Sequence, residues 1–249
     1  FMNVLLGEIA SDNTLCGGES ATDTPGFQQV DDMIHTPVNS ELRNIWSWMF
    51  AGVNRANYIM EFQDKTDFEG KDLVLAQARF LRAYYYFELV KWFGDVPLVV
   101  DQRILFGQQF EIDRTPKAEV YAQIEQDLIY AADILPYFQA ETGRVTKGAA
   151  QALLGKVYLF QDKFSESANV LESVINNGPY DLLTDYSTMF ENDNENKYKL
   201  GVIDFGIMGS FSKEEQNNFY LMFQAFNDNP VDIDKITNKV IAFLEPQET

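Results

Sequence analysis

Residues 72–100, DLVLAQARFLRAYYYFELVKWFGDVPLVV, constrain the fold more than any other stretch of the chain. Leu73, Ala76, Phe80, Ala83, Tyr84 and Phe87 recur three and four residues apart, so a helix gathers them on one stripe. Leu75, Tyr85, Tyr86 and Leu89 fall on the opposite side. A helix that is apolar on two faces has to lie between neighbouring helices, not on a surface. Arg79 and Arg82 then stand out, because a guanidinium in such a place must snorkel to water or meet a carboxylate. One or both is expected to bond an acidic side chain of an adjacent helix. Gly94 ends the helix, and Asp95-Val96-Pro97 prevents its resumption.

The flanking segments read as further helices. Phe1–Ala10 resembles the end of one, and Glu41–Phe62 predicts another with Leu42, Ile45, Trp46, Met49, Val53, Ala56 and Met60 on one stripe. Trp46 belongs to that stripe and is assigned to the core. Trp48, about 200° further round the helix, leaves the stripe and is the better exposed platform, although packing on a neighbour is the commoner fate of a tryptophan. Thr115-Pro116 opens a helix over Lys117–Leu135, where Leu128, Ala131 and Pro136 follow the spacing of the second helix of a tetratricopeptide unit. Thr146–Gln161 carries Leu154, Gly155 and Tyr158 at the spacing of a first helix, and Phe164–Asn176 returns against it. Residues 72–177 thus predict two tetratricopeptide-like helix pairs, with Ala83, Gly155 and Ala168 as the small residues that permit close approach. Asn177-Gly178-Pro179 stops the last helix.

Between the first two helices, residues 11–40 turn to Asp, Asn, Thr, Gly, Ser and Pro, which is loop chemistry over an unusual length. A passive surface loop and a functional one fit this composition equally well. Beyond Pro179, Glu191, Asp193, Asn194 and Glu195 form an acidic cluster without the glycine and ligand spacing of an EF-hand, so a solvated loop is expected. Leu200–Met208 alternates weakly, as a strand would. Phe219–Phe226 is strongly aromatic, and Ile233–Phe243 has the pattern of a short helix.

The string RFLRAYYYFELVKWFGDVPLV, from Arg79 to Val99, resembles the signature helix of the SusD/RagB family of outer-membrane nutrient-binding lipoproteins. GEIASDNTLCGGE and QQVDDMIHTPVN are similar to the family's N-terminal region, and YDLLTDYSTMFENDNEN to the segment after its second helix pair. The resemblance fades beyond Ser210. It implies an all-α, tetratricopeptide-like scaffold with long loops, so that 1–249 is a single SusD-like domain, expected to be incomplete because family members are about twice as long. It also implies a ligand-side loop at 11–40 and a protein tethered to the outer leaflet of the outer membrane, at the cell surface. There such a protein delivers oligosaccharides, or in some members peptides, to a SusC-like TonB-dependent transporter barrel. Lipidation in the family falls on a cysteine at the mature N-terminus. Cys16, inside a polar loop, does not fit that role, so attachment is expected through a lipid not present in this chain.

Charge and residue types narrow the function independently. Thirty-eight acidic residues against nineteen basic ones give a net charge of −19, which makes nucleic acid and anionic lipid surfaces poor partners. With one cysteine and one histidine, His35, the chain has no disulfide framework and too few imidazoles for a triad or a histidine-rich metal site. No cofactor or metal is expected, and no catalytic residue is assigned. A glycosidase would need two carboxylates whose environments drive their pKa values apart, and no such pair is apparent. A soluble tetratricopeptide adaptor is the remaining alternative; such arrays rarely carry a long polar loop ahead of the repeats. The ligand-binding candidates are Asp12, Asn13 and Trp48. A neutral sugar needs an aromatic plane for its ring face and short polar groups for its hydroxyls. Asp12 and Asn13 also lie where the family resemblance places a ligand-side loop.

Overall fold

The computed structural model describes residues 2–11, 14–18, 20, 22–105, 113–141 and 143–180. The acidic cluster at 191–195, the weak strand at 200–208, the aromatic run at 219–226 and the helix at 233–243 lie outside the described residues. Among the described residues the fold is all-α, with helices α1 (Met2–Ile9), α2 (Pro25–Asp31), α3 (Ser40–Phe62), α4 (Lys71–Phe93), α5 (Lys117–Ile134), α6 (Lys147–Leu159) and α7 (Phe164–Asn177). Extended pairing there is confined to one antiparallel bridge, Val96 with Thr115.

The central helix α4 packs between α3 and α5, as a helix with two apolar sides must. Leu75, Ala76, Ala83, Tyr86, Phe87 and Leu89 are all buried. Tyr84 departs from the expected stripe and is 38% exposed. The residues at 73, 76, 80, 83 and 87 already complete the packed line, with Leu73 and Phe80 half-buried, and position 84 sits about 100° round from 83. Gly94 closes the helix with φ of 69°, a left-handed conformation that a side chain would disfavour.

Successive helices meet in opposite sequence directions. Between α3 and α4, Trp46 contacts Phe93 and Asn57 contacts Arg82. Between α4 and α5, Arg79 covers Tyr130 and Phe87 meets Tyr121. Between α6 and α7, Gln151 bonds Ser173 and Ser167 bonds the Gly155 carbonyl. The helices α3 to α7 therefore form an antiparallel array in chain order. Gly155 does allow close approach: a Cβ there would lie 2.6 Å from Leu171 Cδ2. Its partner is Ser167, buried with its hydroxyl 2.8 Å from the Gly155 carbonyl, and not Ala168, which is exposed. Gly52 plays the same part between α3 and α4, where a Cβ would overlap the Tyr85 ring.

The arginine problem posed by α4 is solved twice, in different ways. Arg82 is buried and forms a fork on the fully buried Asp127 of α5, Nε to Oδ2 and Nη2 to Oδ1, both 2.7 Å. Its Nη1 donates to Asn57 Oδ1 at 3.1 Å and to the Val100 carbonyl at 2.5 Å. Arg79 instead lays its guanidinium over the Tyr130 ring, 4.1 Å from the centroid. The segment after Gly94 is laced onto this network. Tyr86 Oη accepts from Val99 N–H at 2.8 Å and donates to its carbonyl at 2.9 Å, and Asn57 Nδ2 donates to the same carbonyl at 2.7 Å. Asn54 brackets Ile104 in the same manner, through its N–H at 2.6 Å and its carbonyl at 3.1 Å.

Candidate functional site: an aromatic cleft at the start of α3

The polar span 11–40 is not all loop, and the difference creates a site. Pro25 at the first position of α2 starts a helix at no cost in hydrogen bonds, since that N–H has no helical partner. The buried face of α2 is too short to show periodicity, which is why its loop-forming residues masked it. Met33, at φ of 55°, turns the chain out of α2 into residues 33–37. Asn39 then fixes the junction. Its Oδ1 caps α3 by accepting from the N–H groups of Glu41 and Leu42 at 3.0 and 3.1 Å. Its Nδ2 reaches back to α2, donating to the Gly26 carbonyl at 2.9 Å and Gln29 Oε1 at 3.0 Å. Beneath this junction Leu6, Val30 and Ile45 form a small buried cluster, against which Phe27, Trp92 and Phe93 pack.

Above that cluster lies a cleft of about 790 Å³. Residues of the 33–37 turn, the start of α3 and the end of α4 line it: His35, Thr36 and Pro37, then Leu42, Arg43 and Trp46, then Trp92 and Phe93. The Trp46 ring is held by Phe50 at 4.7 Å and edge-on by Phe93 at 5.1 Å, so one wall of the cleft is a fixed aromatic surface. Neither the Trp46 nor the Trp92 indole N–H has a partner among the described residues. Two indole rings, beside Thr36, His35 and Arg43, can cover a sugar face and bond its substituents.

Of the residues expected from the sequence, the one that is described, Trp48, does not line this cleft. Trp48 is 52% exposed on α3, in keeping with its helical phase, and is absent from the cleft lining. Asp12 and Asn13 lie outside the described residues. Trp46, assigned to the core by its stripe, is half-buried and is both core and cleft wall. Periodicity reports which side of a helix is apolar; it does not separate a ring packed on all sides from one packed on one side only. Trp92 was legible in principle, because a tryptophan in the last turn before Gly94 has no further helix to cover it. His35 lies in the turn between α2 and α3. Among the described residues no group of His, Cys, Asp and Glu could hold a metal, and no helix is long and apolar enough to cross a membrane.

Residues 9–159 match the SusD-like family described as "Starch-binding associating with outer membrane". The chain belongs to that family. It is 31% identical over 200 residues to SusD-like protein P2 of Formosa agariphila, covering 78% of this chain and 39% of that protein. It is 27% identical over 198 residues to the starch-binding protein SusD of Bacteroides thetaiotaomicron, covering 76% of this chain and 34% of the relative. Among solved structures, a laminarin-binding SusD-like protein superposes with a TM-score of 0.68 at 32% identity, over 76% of this chain and 42% of the other. The chain thus spans between a third and two fifths of the length of these curated relatives.

Proposed function

We propose that this protein captures oligosaccharides at the cell surface and passes them to a SusC-like TonB-dependent barrel, without chemical turnover. The observation that carries this reading is the pair of tryptophan rings with unengaged indole donors at one cleft, in a chain of a glycan-binding family. Stacking on such rings and short polar contacts suffice for capture and release, and neither requires a catalytic group. The cleft is the centre of the ligand face in this reading, and the exposed Trp48 ring, on another side of α3, and Asp12 and Asn13 of the N-terminal loop are further contacts to be tested separately.

Calorimetry with a panel of oligosaccharides tests this. Trp92→Ala should weaken the best ligand by about 1–3 kcal/mol, the scale of a buried aromatic anchor. Trp48→Ala and the double variant Asp12→Ala, Asn13→Ala locate the rest of the face. Unchanged affinity in all of them moves the site elsewhere, and conversion of a bound glycan to shorter products ends the non-catalytic reading. Purification from native membranes should bring a barrel with the protein; its absence counts against the proposed hand-over.

A further inference from the structure

The cleft described above has a chemical bias that its aromatic walls do not explain. Among the described residues its lining includes no Asp, Glu, Asn or Gln, in a chain with thirty-eight acidic residues. It does include Arg43, exposed at the start of α3, whose guanidinium makes no ion pair or hydrogen bond among the described residues. Two carboxylates of the neighbouring helices are engaged elsewhere. Glu41 accepts from Ser40 Oγ at 2.9 Å and from Asn44 Nδ2 at 3.4 Å, and Asp31 Oδ2 accepts from Cys16 N–H at 2.8 Å. Among its described residues the lining thus carries three side chains that only donate, Trp46, Trp92 and Arg43, against the Thr36 hydroxyl and the His35 imidazole as side-chain acceptors.

Sugar hydroxyls each bring a hydrogen that needs an acceptor, and a lining without carboxylates or side-chain amides meets that need poorly. An anionic oxygen group brings acceptors and no hydrogen. Resting on the glycan-binding reading, we propose that this cleft selects oligosaccharides bearing an anionic group, a carboxylate or a sulfate, which pairs with Arg43 while the sugar ring lies against Trp46 and Trp92. The net charge of −19 opposes the approach of any anion, but at physiological ionic strength charges beyond about 8 Å are largely screened. Arg43 is the one Lys or Arg among the described lining residues and offers a planar fork to the group.

The test is calorimetry on the full chain with four hexasaccharides: an oligogalacturonate, a sulfated galactan fragment, and the uncharged maltohexaose and laminarihexaose. At least one anionic probe should bind more tightly than both uncharged ones, and the arm that does so separates carboxylate from sulfate. Arg43→Gln should weaken that probe about tenfold, the scale of one charge-assisted hydrogen bond, and weaken uncharged probes much less. Because Arg43 is exposed and has no hydrogen bond or ion pair among the described residues, the variant is expected to keep the parent's circular dichroism and melting temperature. Equal or tighter binding of the uncharged probes, or an Arg43→Gln variant with unaltered affinity for the anionic one, overturns the anionic selectivity and leaves glycan capture standing. Failure of all four probes to bind overturns both.

Discussion

A fully buried carboxylate such as Asp127 is tolerable only while its charge is matched, and the Arg82 fork supplies both the charge and the hydrogen bonds. Replacing Asp127 with alanine strands the guanidinium among Asn57, Val100 and apolar side chains. A loss of about 3–5 kcal/mol of unfolding free energy is expected, measured by urea denaturation. Tyr86 adds a pH dependence to the same network. Burial, the largest cause, pushes its phenol up to about 12. Below pH 10 both folded and unfolded states keep the proton and the contribution is whole. As pH rises from 10 towards 12 the unfolded chain releases its proton first, so stability falls by about 2–3 kcal/mol across that window. Tyr86→Phe should be less stable than the parent at pH 7, by about 1–3 kcal/mol for the Val99 N–H left unsatisfied, while Asn57 still serves the carbonyl. Its stability should also fall less steeply above pH 10, and parallel alkaline curves for the two proteins would assign the decline to other tyrosines.

At the level of elements, the joints matter more than the helices they join. Asn39 holds the start of α3 and the end of the polar span with one side chain. Asn39→Ala should cost about 1–2 kcal/mol as a lost cap, and it should weaken glycan binding in addition, because the turn lining the cleft loses its tie to α3. A variant with lowered stability and unchanged binding would separate the two roles. Gly52→Leu should be worse, since overpacking a closed joint costs about 1–3 kcal/mol or more and the Tyr85 ring occupies the space. The helices themselves were readable because long apolar stripes survive local exceptions such as Tyr84. Arg79 and Arg82 announced a buried ionic contact, though only the packing decided that Arg82 would meet Asp127 and Arg79 an aromatic ring. The cleft was largely hidden. It arises where a short helix obscured by loop residues meets the ends of two long ones, and no periodicity describes a place where elements stop. Ala168 failed as the small contact residue for a related reason. A one-residue difference in helical phase moves a side chain by about 100°, so that Ser167 faces α6 instead.

Across the molecule, each helix of the array touches chiefly the helices before and after it, which makes stability graded along the chain. Native-state hydrogen exchange should find the highest protection in α4 and α5. The lowest should fall in α7, where Ser167 is the only buried residue and Ile175 is 72% exposed. Uniform protection from α3 to α7 would contradict this gradient. The family assignment rests on this body, within which the match at residues 9–159 ends. The cleft has one further consequence, an optical one. All three tryptophans of the chain, Trp46, Trp48 and Trp92, lie on the start of α3 or the end of α4, and two of them wall the cleft. Much of the intrinsic emission of the protein, from two of its three tryptophans, therefore originates at the walls of the cleft. Titration with a bound sugar should change its intensity or wavelength without any added label, and a double Trp46→Phe, Trp92→Phe variant should silence that signal while Trp48 continues to emit.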